Sequence, residues 1–88
     1  MSFRVVFDRR ASNYLEKLEK TTKSRIKSKL TELKNNPKFG ERLKYSDLWK
    51  LRIGEYRAIY EIKGEKKKVI ILFIGHRENV YDDFSRIF

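Results

Sequence analysis

Five side chains of this 88-residue sequence have the types and spacing to act on a phosphate: Lys50, Arg52, Arg57, Arg77 and Tyr81. The first three fall in the run Leu48 to Tyr60. There Trp49, Leu51 and Ile53 alternate with Lys50 and Arg52, and Tyr56, Ala58 and Tyr60 alternate with Arg57 and Ile59. Alternation of period two marks two half-buried strands, with Gly54-Glu55 between them as a two-residue turn. That loop length sets Ile53 opposite Tyr56, Arg52 opposite Arg57 and Lys50 opposite Ile59, and directly paired residues share a face of the sheet. Like charges so opposed destabilise an antiparallel pair, and the arrangement calls either for open solvent or for an anionic ligand. The ligand is the reading adopted.

Cations alone can run one reaction on such a ligand. Cleavage of RNA through its own 2′-hydroxyl needs that hydroxyl deprotonated, the extra negative charge on phosphorus stabilised, and the departing 5′-oxygen protonated. Arg52 and Arg57 would cradle the phosphate, because planar guanidinium donors match its oxygens two at a time. Arg77 would stabilise the leaving oxygen. Lys50 is the candidate base, since a cluster of positive neighbours favours the neutral amine. Tyr81 stands between two uses, orienting a base or packing against the chain end. His76 flanks the same face and has the ordinary structural uses of a histidine at a strand end as well as acid-base ones. Trp49, Tyr56 and Tyr60 point the other way and read as core. Asp82-Asp83, ahead of a short helix, read as cap and first-turn acids and not as a cation site.

Composition narrows the partner. Lysine and arginine number 22 against 12 acids, a formal charge of +10. Such an excess favours an acidic partner, nucleic acid ahead of membrane. Cysteine is absent and His76 is the single histidine, which removes disulfides, thiolate nucleophiles and histidine-pair metal sites. No cofactor and no metal are expected. No apolar run approaches a bilayer span and no signal-peptide apolar region opens the chain, so the expected location is the cytoplasm, with no membrane partner. The length fits one domain over residues 1–88.

The elements that must position these residues can be read from the remaining pattern. Phe3 to Phe7 alternates as a short strand, and Asp8 can cap the helix after it. Ala11, Tyr14, Leu15 and Leu18 recur at helical spacing; Ile26, Leu30 and Leu33 repeat it after a break around Lys20-Thr21-Thr22, giving a helical hairpin. Asn35-Asn36-Pro37 ends the second helix, and Lys38 to Asp47 reads as a loop anchored by Phe39 and Leu43. The outer lysines, Lys17 and Lys29 among them, read as a solvated surface. A five-residue turn, Lys63 to Lys67, would pair Ile62 with Lys68 and Arg57 with Phe73, keeping Gly75 and Arg77 on the arginine face unless a bulge reverses the parity. Val69 to Ile74 is an apolar run suited to a strand covered on both faces. Asp82 to Phe88 forms a short helix or tail packed through Phe84, Ile87 and Phe88. The fold class is α+β: an N-terminal strand, a two-helix hairpin against one sheet face, an antiparallel three-stranded meander and a short C-terminal helix or tail.

The hairpin Trp49 to Tyr60, followed by Ile74-Gly75-His76-Arg77-Glu78-Asn79-Val80-Tyr81, resembles the RelE branch of the RelE/ParE toxin superfamily. Element order and length match over essentially the whole chain. The resemblance implies a RelE-like fold and the toxin of a type II toxin-antitoxin pair, a metal-independent endoribonuclease that cuts ribosome-bound mRNA in the A site. It also implies a cognate RelB-like antitoxin, expected to be acidic. Carried over by position, Lys50, Arg52, Arg57, Arg77 and Tyr81 match the family's active-site cations and terminal tyrosine. Two departures stand out: the loop before Trp49 lacks a Leu-x-Gly glycine, and Arg52 stands where some relatives have lysine. The alternatives are a ParE-like gyrase inhibitor, which needs no such cluster, and a non-catalytic basic module that grips RNA or an acidic protein.

Overall fold

The N-terminal strand and the meander join in one sheet because the last strand returns to lie beside the first. The structure is a computed structural model and describes residues 2–44 and 46–87. β1 (Arg4–Phe7) leads into α1 (Arg9–Glu16) through Asp8, whose carboxylate accepts from the Arg10 amide at 3.0 Å, the cap expected of it. α2 (Lys20–Thr31) starts directly at Lys20, so the break between the helices falls just ahead of the expected place. A short 3-10 turn, Glu32–Lys34, continues the buried stripe to Leu33.

Four further strands complete the sheet: β2 (Glu41–Arg42), β3 (Leu48–Ile53), β4 (Tyr56–Lys63) and β5 (Lys68–His76). The sheet order is β1-β5-β4-β3-β2, with β1 parallel to β5 and the other pairs antiparallel. β2, a two-residue strand inside the segment read as loop, has no periodicity for a sequence to display. On one face Ala11, Leu15, Ile26, Leu30 and Leu33 of the helical layer pack against Leu51, Ile53, Ala58, Tyr60, Val69, Ile71 and Ile74, all buried. That is the half-buried sheet face the alternation of β3 and β4 requires.

Register is where expectation and structure part. The turn after β4 holds four residues, so Lys63 pairs with Lys68 and Ile62 with Val69, one residue off the predicted pairing. Lys67, at φ 51°, supplies its left-handed residue. A one-residue slip would turn Arg77 to the helix side. The ladder slips again between Ile59 and Tyr60, which oppose Phe73 and Ile71, leaving Leu72 as the extra residue of a bulge. The two shifts cancel in parity. Arg57 therefore lies opposite Gly75 and not Phe73, and Gly75 and Arg77 remain on the arginine face as expected.

α3 (Val80–Ile87) packs on that same outer face. Val80 and Ile59 are fully buried there, and Phe84 meets Phe73 edge-on at 6.0 Å between ring centroids. Of the expected tail contacts, Phe88 and the side chain of Ile87 lie outside the described residues. β5 is thus covered by α1 on one face and by α3 near its end on the other, as its continuous apolar run demands.

Candidate active site

The hairpin that carries the site is fixed by its turn. Gly54 has φ +59° and Glu55 does not share a positive φ, the pattern of a type II′ turn with glycine at its first central position. Ile53 then faces Tyr56, and Arg52 faces Arg57, as the sequence predicts. Arg52 is exposed and Arg57 half-buried. The Arg57 guanidinium folds over its own turn: Nη1 donates to the carbonyl oxygens of Gly54 and Tyr56, each at 2.8 Å. One nitrogen makes both bonds, which fixes the plane of the group and leaves Nε and Nη2 for an anion.

Arg77 is brought to the same turn by its backbone. Its amide donates to the Glu55 carbonyl at 2.7 Å, so the chain leaving β5 is tied to the loop between β3 and β4. Its side chain is exposed. Gly75, between Arg57 and α3, is needed for close approach: a Cβ there would lie 3.1 Å from Cγ2 of Val80.

Lys50 and Tyr81 meet. The Lys50 amine lies 5.7 Å from the centroid of the Tyr81 ring, which is 38% exposed at the first turn of α3. This places the tyrosine beside the cation row and not only against the chain end. Lys50 also has a partner that sequence reasoning missed, the Glu41 carboxylate at 3.4 Å. To take a proton Lys50 must be the neutral amine, because an ammonium, paired or free, has no lone pair to offer. Glu41 lies in β2, within the segment read as loop, and no local pattern reveals its pairing with Lys50 of β3.

Other expected roles are sorted by the same geometry. His76 lies on the helix face, its ring edge-on to Tyr56 at 5.8 Å and its Nδ1 accepting from the Glu78 amide at 3.3 Å. Tyr14 completes that row 6.5 Å from Tyr56. Burial, then Tyr56 and Asp83, push the Tyr14 hydroxyl above its usual value of 10.0, against a backbone hydrogen bond to His76. The histidine serves packing in this arrangement, one of the two uses its position allowed. Trp49 stacks on Tyr60 at 6.3 Å in the core, as expected of both. Asp82 and Asp83 occupy the first turn of α3, where negative charge favours a helix N-terminus.

Phe39 does not anchor the loop as expected. It is 42% exposed, with the Lys29 amine 4.9 Å from its ring centroid. Tyr60 does the anchoring from within the sheet: its hydroxyl donates to the Pro37 carbonyl at 2.7 Å and accepts from the Gly40 amide at 3.0 Å. Burial raises the Tyr60 hydroxyl above its ordinary 10.0, and the Gly40 bond offsets part of that. A second residue missed by the sequence reading, this one a cation, is Arg25 of α2, whose Nη2 would lie 3.1 Å from a Cβ at Gly54.

Lys50, Arg52, Arg57, Gly75 and Arg77 therefore share the outer sheet face, with α3 and its Tyr81 alongside. Fold and face together define a small α+β protein with a cationic sheet surface flanked by its C-terminal helix. The family model described as the ParE toxin of the type II toxin-antitoxin system parDE matches residues 5–81, and the chain belongs to this toxin family. It is 33% identical over 82 residues to the mRNA interferase toxin RelE of Escherichia coli (strain K12), covering 89% of this chain and 86% of that one. A free, doubly mutated form of E. coli toxin RelE superposes with a TM-score of 0.78 at 30% identity, covering 100% of both chains. The archaeal RelE-RelB complex from Pyrococcus horikoshii OT3 gives 0.72 at 26% identity, with 88% and 97% covered.

Proposed function

We propose that this chain is a RelE-type mRNA interferase, a ribosome-dependent endoribonuclease that cleaves mRNA in the A site and works in the cytoplasm. The observation that carries the reading is the gathering of Lys50, Arg52, Arg57 and Arg77 on one sheet face, with Tyr81 beside Lys50. Arg52 and Arg57 hold the non-bridging oxygens of the scissile phosphate, Arg57 in the orientation set by its bonds to the turn. Lys50, parted from Glu41 and in its neutral amine form, takes the proton of the 2′-hydroxyl. The 2′-oxygen then bonds to phosphorus, the bond to the 5′-oxygen breaks, and Arg77 stabilises the negative charge that develops on that oxygen until it takes a proton from solvent and leaves as the 5′-hydroxyl. Tyr81 orients the neighbouring base by its ring face. No step calls on a metal.

The relatives found in RelE-RelB complexes support a matching antitoxin, a RelB-like protein whose acidic segment would complement the +10 charge. The ParE description of the family model favours a second reading, a gyrase inhibitor. Two assays separate them. Purified protein added to translating ribosomes should leave mRNA fragments ending in a 2′,3′-cyclic phosphate, or the 3′-phosphate it hydrolyses to, and beginning with a 5′-hydroxyl. Fragments with a 3′-hydroxyl and 5′-phosphate would point to attack by water and overturn the mechanism. Intact mRNA with inhibited supercoiling would install the gyrase reading.

A further inference from the structure

We propose that a groove along the open edge of β3 is a binding track for the single-stranded RNA flanking the scissile phosphate, with Arg25 and Lys29 of α2 as its outer cations and Phe39 as its stacking platform. This rests on the nuclease reading and extends it beyond the five candidate catalytic residues.

The groove exists because β2 is short. Its two residues pair only with Trp49 and Lys50, so the edge of β3 beyond Lys50 has no strand partner. A Cβ on Gly40 would collide with the Lys50 carbonyl oxygen, which shows that this residue turns its backbone outward to the β2 side. Strand alternation gives Arg52 the same orientation, so its N–H and C=O face the groove. From Lys50 to Gly54 the exposed edge runs about 13 Å, a length suited to a short single strand. α2 forms the far wall through Arg25, Ser28 and Lys29, and the open groove between them has a volume of about 890 Å³.

Its chemistry fits a polyanion that also offers flat apolar surfaces. Lys50, Arg52 and Arg57 line one wall, so the groove is continuous with the candidate active site. Arg25 and Lys29, one helical turn apart, add two cations opposite them. The two acids on the lining are Glu32 and Glu41, and they pair with Lys29 at 3.6 Å and Lys50 at 3.4 Å. Leu51 and Ile53 provide an apolar floor, and Phe39 holds a large exposed aromatic ring at the rim. Cations that track a backbone beside an aromatic that stacks a base are the parts of a sequence-tolerant single-strand site. An acidic peptide strand added to the β3 edge is the competing occupant. It would use the backbone and the charge but leave Phe39 without a role, and it would not explain continuity with the phosphate-facing arginines.

The test uses fully 2′-fluoro RNA, which lacks the nucleophile, as a labelled dinucleotide and a hexanucleotide, with binding to the intact protein read by fluorescence anisotropy at low salt. The wild-type protein should bind the hexanucleotide at least about tenfold more tightly than the dinucleotide, and Arg25→Ala/Lys29→Ala should remove most of that advantage while sparing the dinucleotide. Phe39→Ala should weaken the hexanucleotide about fivefold and Phe39→Trp should restore it. Circular dichroism confirms that each variant is folded. The proposal is overturned if the wild-type protein shows no length advantage, or if the α2 variant keeps it or loses both ligands equally. It is also overturned if the backbone amides of Leu51 to Ile53 shift in NMR spectra with an acidic peptide and not with the hexanucleotide. Cleavage on programmed ribosomes by a protein without the length advantage sinks the groove alone; a length advantage without cleavage sinks the nuclease reading alone.

Discussion

Arg57 and Gly75 face each other across the β4–β5 ladder, and the missing side chain of the glycine is what lets Val80 bring α3 down onto β5 at that position. A methyl group at Gly75 would lie 3.1 to 3.3 Å from three atoms of Val80, one of them its Cα. Helix backbone cannot step aside as a flexible side chain can. Gly75→Ala should therefore cost about 1–3 kcal/mol, the usual scale of overpacking a filled site. Urea unfolding measures it; an unchanged midpoint would mean that α3 is not held where Gly75 places it.

Tyr60 gives a second expectation, with a pH dependence. Tyr60→Phe leaves the Gly40 amide and the Pro37 carbonyl without the hydroxyl, for a loss of about 1–3 kcal/mol. Burial raises the folded-state hydroxyl above its ordinary 10.0, and Tyr14 moves the same way. Above pH 10 the unfolded chain gives up these protons first, so it binds fewer than the folded chain and stability falls as pH rises. Below pH 10 the contribution is complete. Unfolding midpoints at pH 9 and pH 11 should differ in the wild-type protein, and less so in Tyr60→Phe.

The Arg52 and Arg57 pairing was legible in the sequence because a two-residue loop leaves no freedom of register. Gly75 and Arg77 reached the correct face for a less secure reason. The four-residue turn and the bulge at Leu72 each shift the ladder by one, and neither has a composition that announces it. The position of α3 had a signal that the strand pattern displays: Ile59 stands between Arg57 and Glu61 on the outer face, and an apolar residue there calls for cover. Glu41 and Arg25 could not be assigned from local pattern. Each reaches the site from another element, and only the tertiary arrangement distinguishes them from other surface charges.

The Lys50–Glu41 pair separates stability from reactivity. Glu41 is 75% exposed and Lys50 34%, so the pair contributes no more than about 1 kcal/mol to folding. Glu41→Gln should leave the unfolding midpoint nearly unchanged. If Lys50 is the base, freeing it from the carboxylate should hold or raise the single-turnover cleavage rate, whereas Lys50→Ala should lower it by about 100-fold or more, the lower range of general-base catalysis. A Glu41→Gln rate that falls as far as that of Lys50→Ala would move the proton acceptor from the lysine to the carboxylate.

Arg57 and Arg77 decide between catalysis and simple grip. Arg57→Ala removes a donor oriented by two carbonyl bonds toward the phosphate, and a loss of about 100-fold or more in cleavage is the scale for one transition-state donor. Ribosome affinity should fall far less, because the remaining cations still hold the RNA in its ground state. Arg77→Ala should behave alike, since its amide is tied to Glu55 and the substitution leaves that bond in place. Lys17→Ala, just beyond α1 and exposed, should change neither quantity appreciably, as a single screened charge acts weakly and diffusely. Single-turnover cleavage on programmed ribosomes, beside a direct affinity measurement on the same variants, reads both effects. Equal losses of rate and affinity in Arg57→Ala and Arg77→Ala would assign these arginines to ground-state binding and leave the cationic face as a module that holds RNA without cutting it.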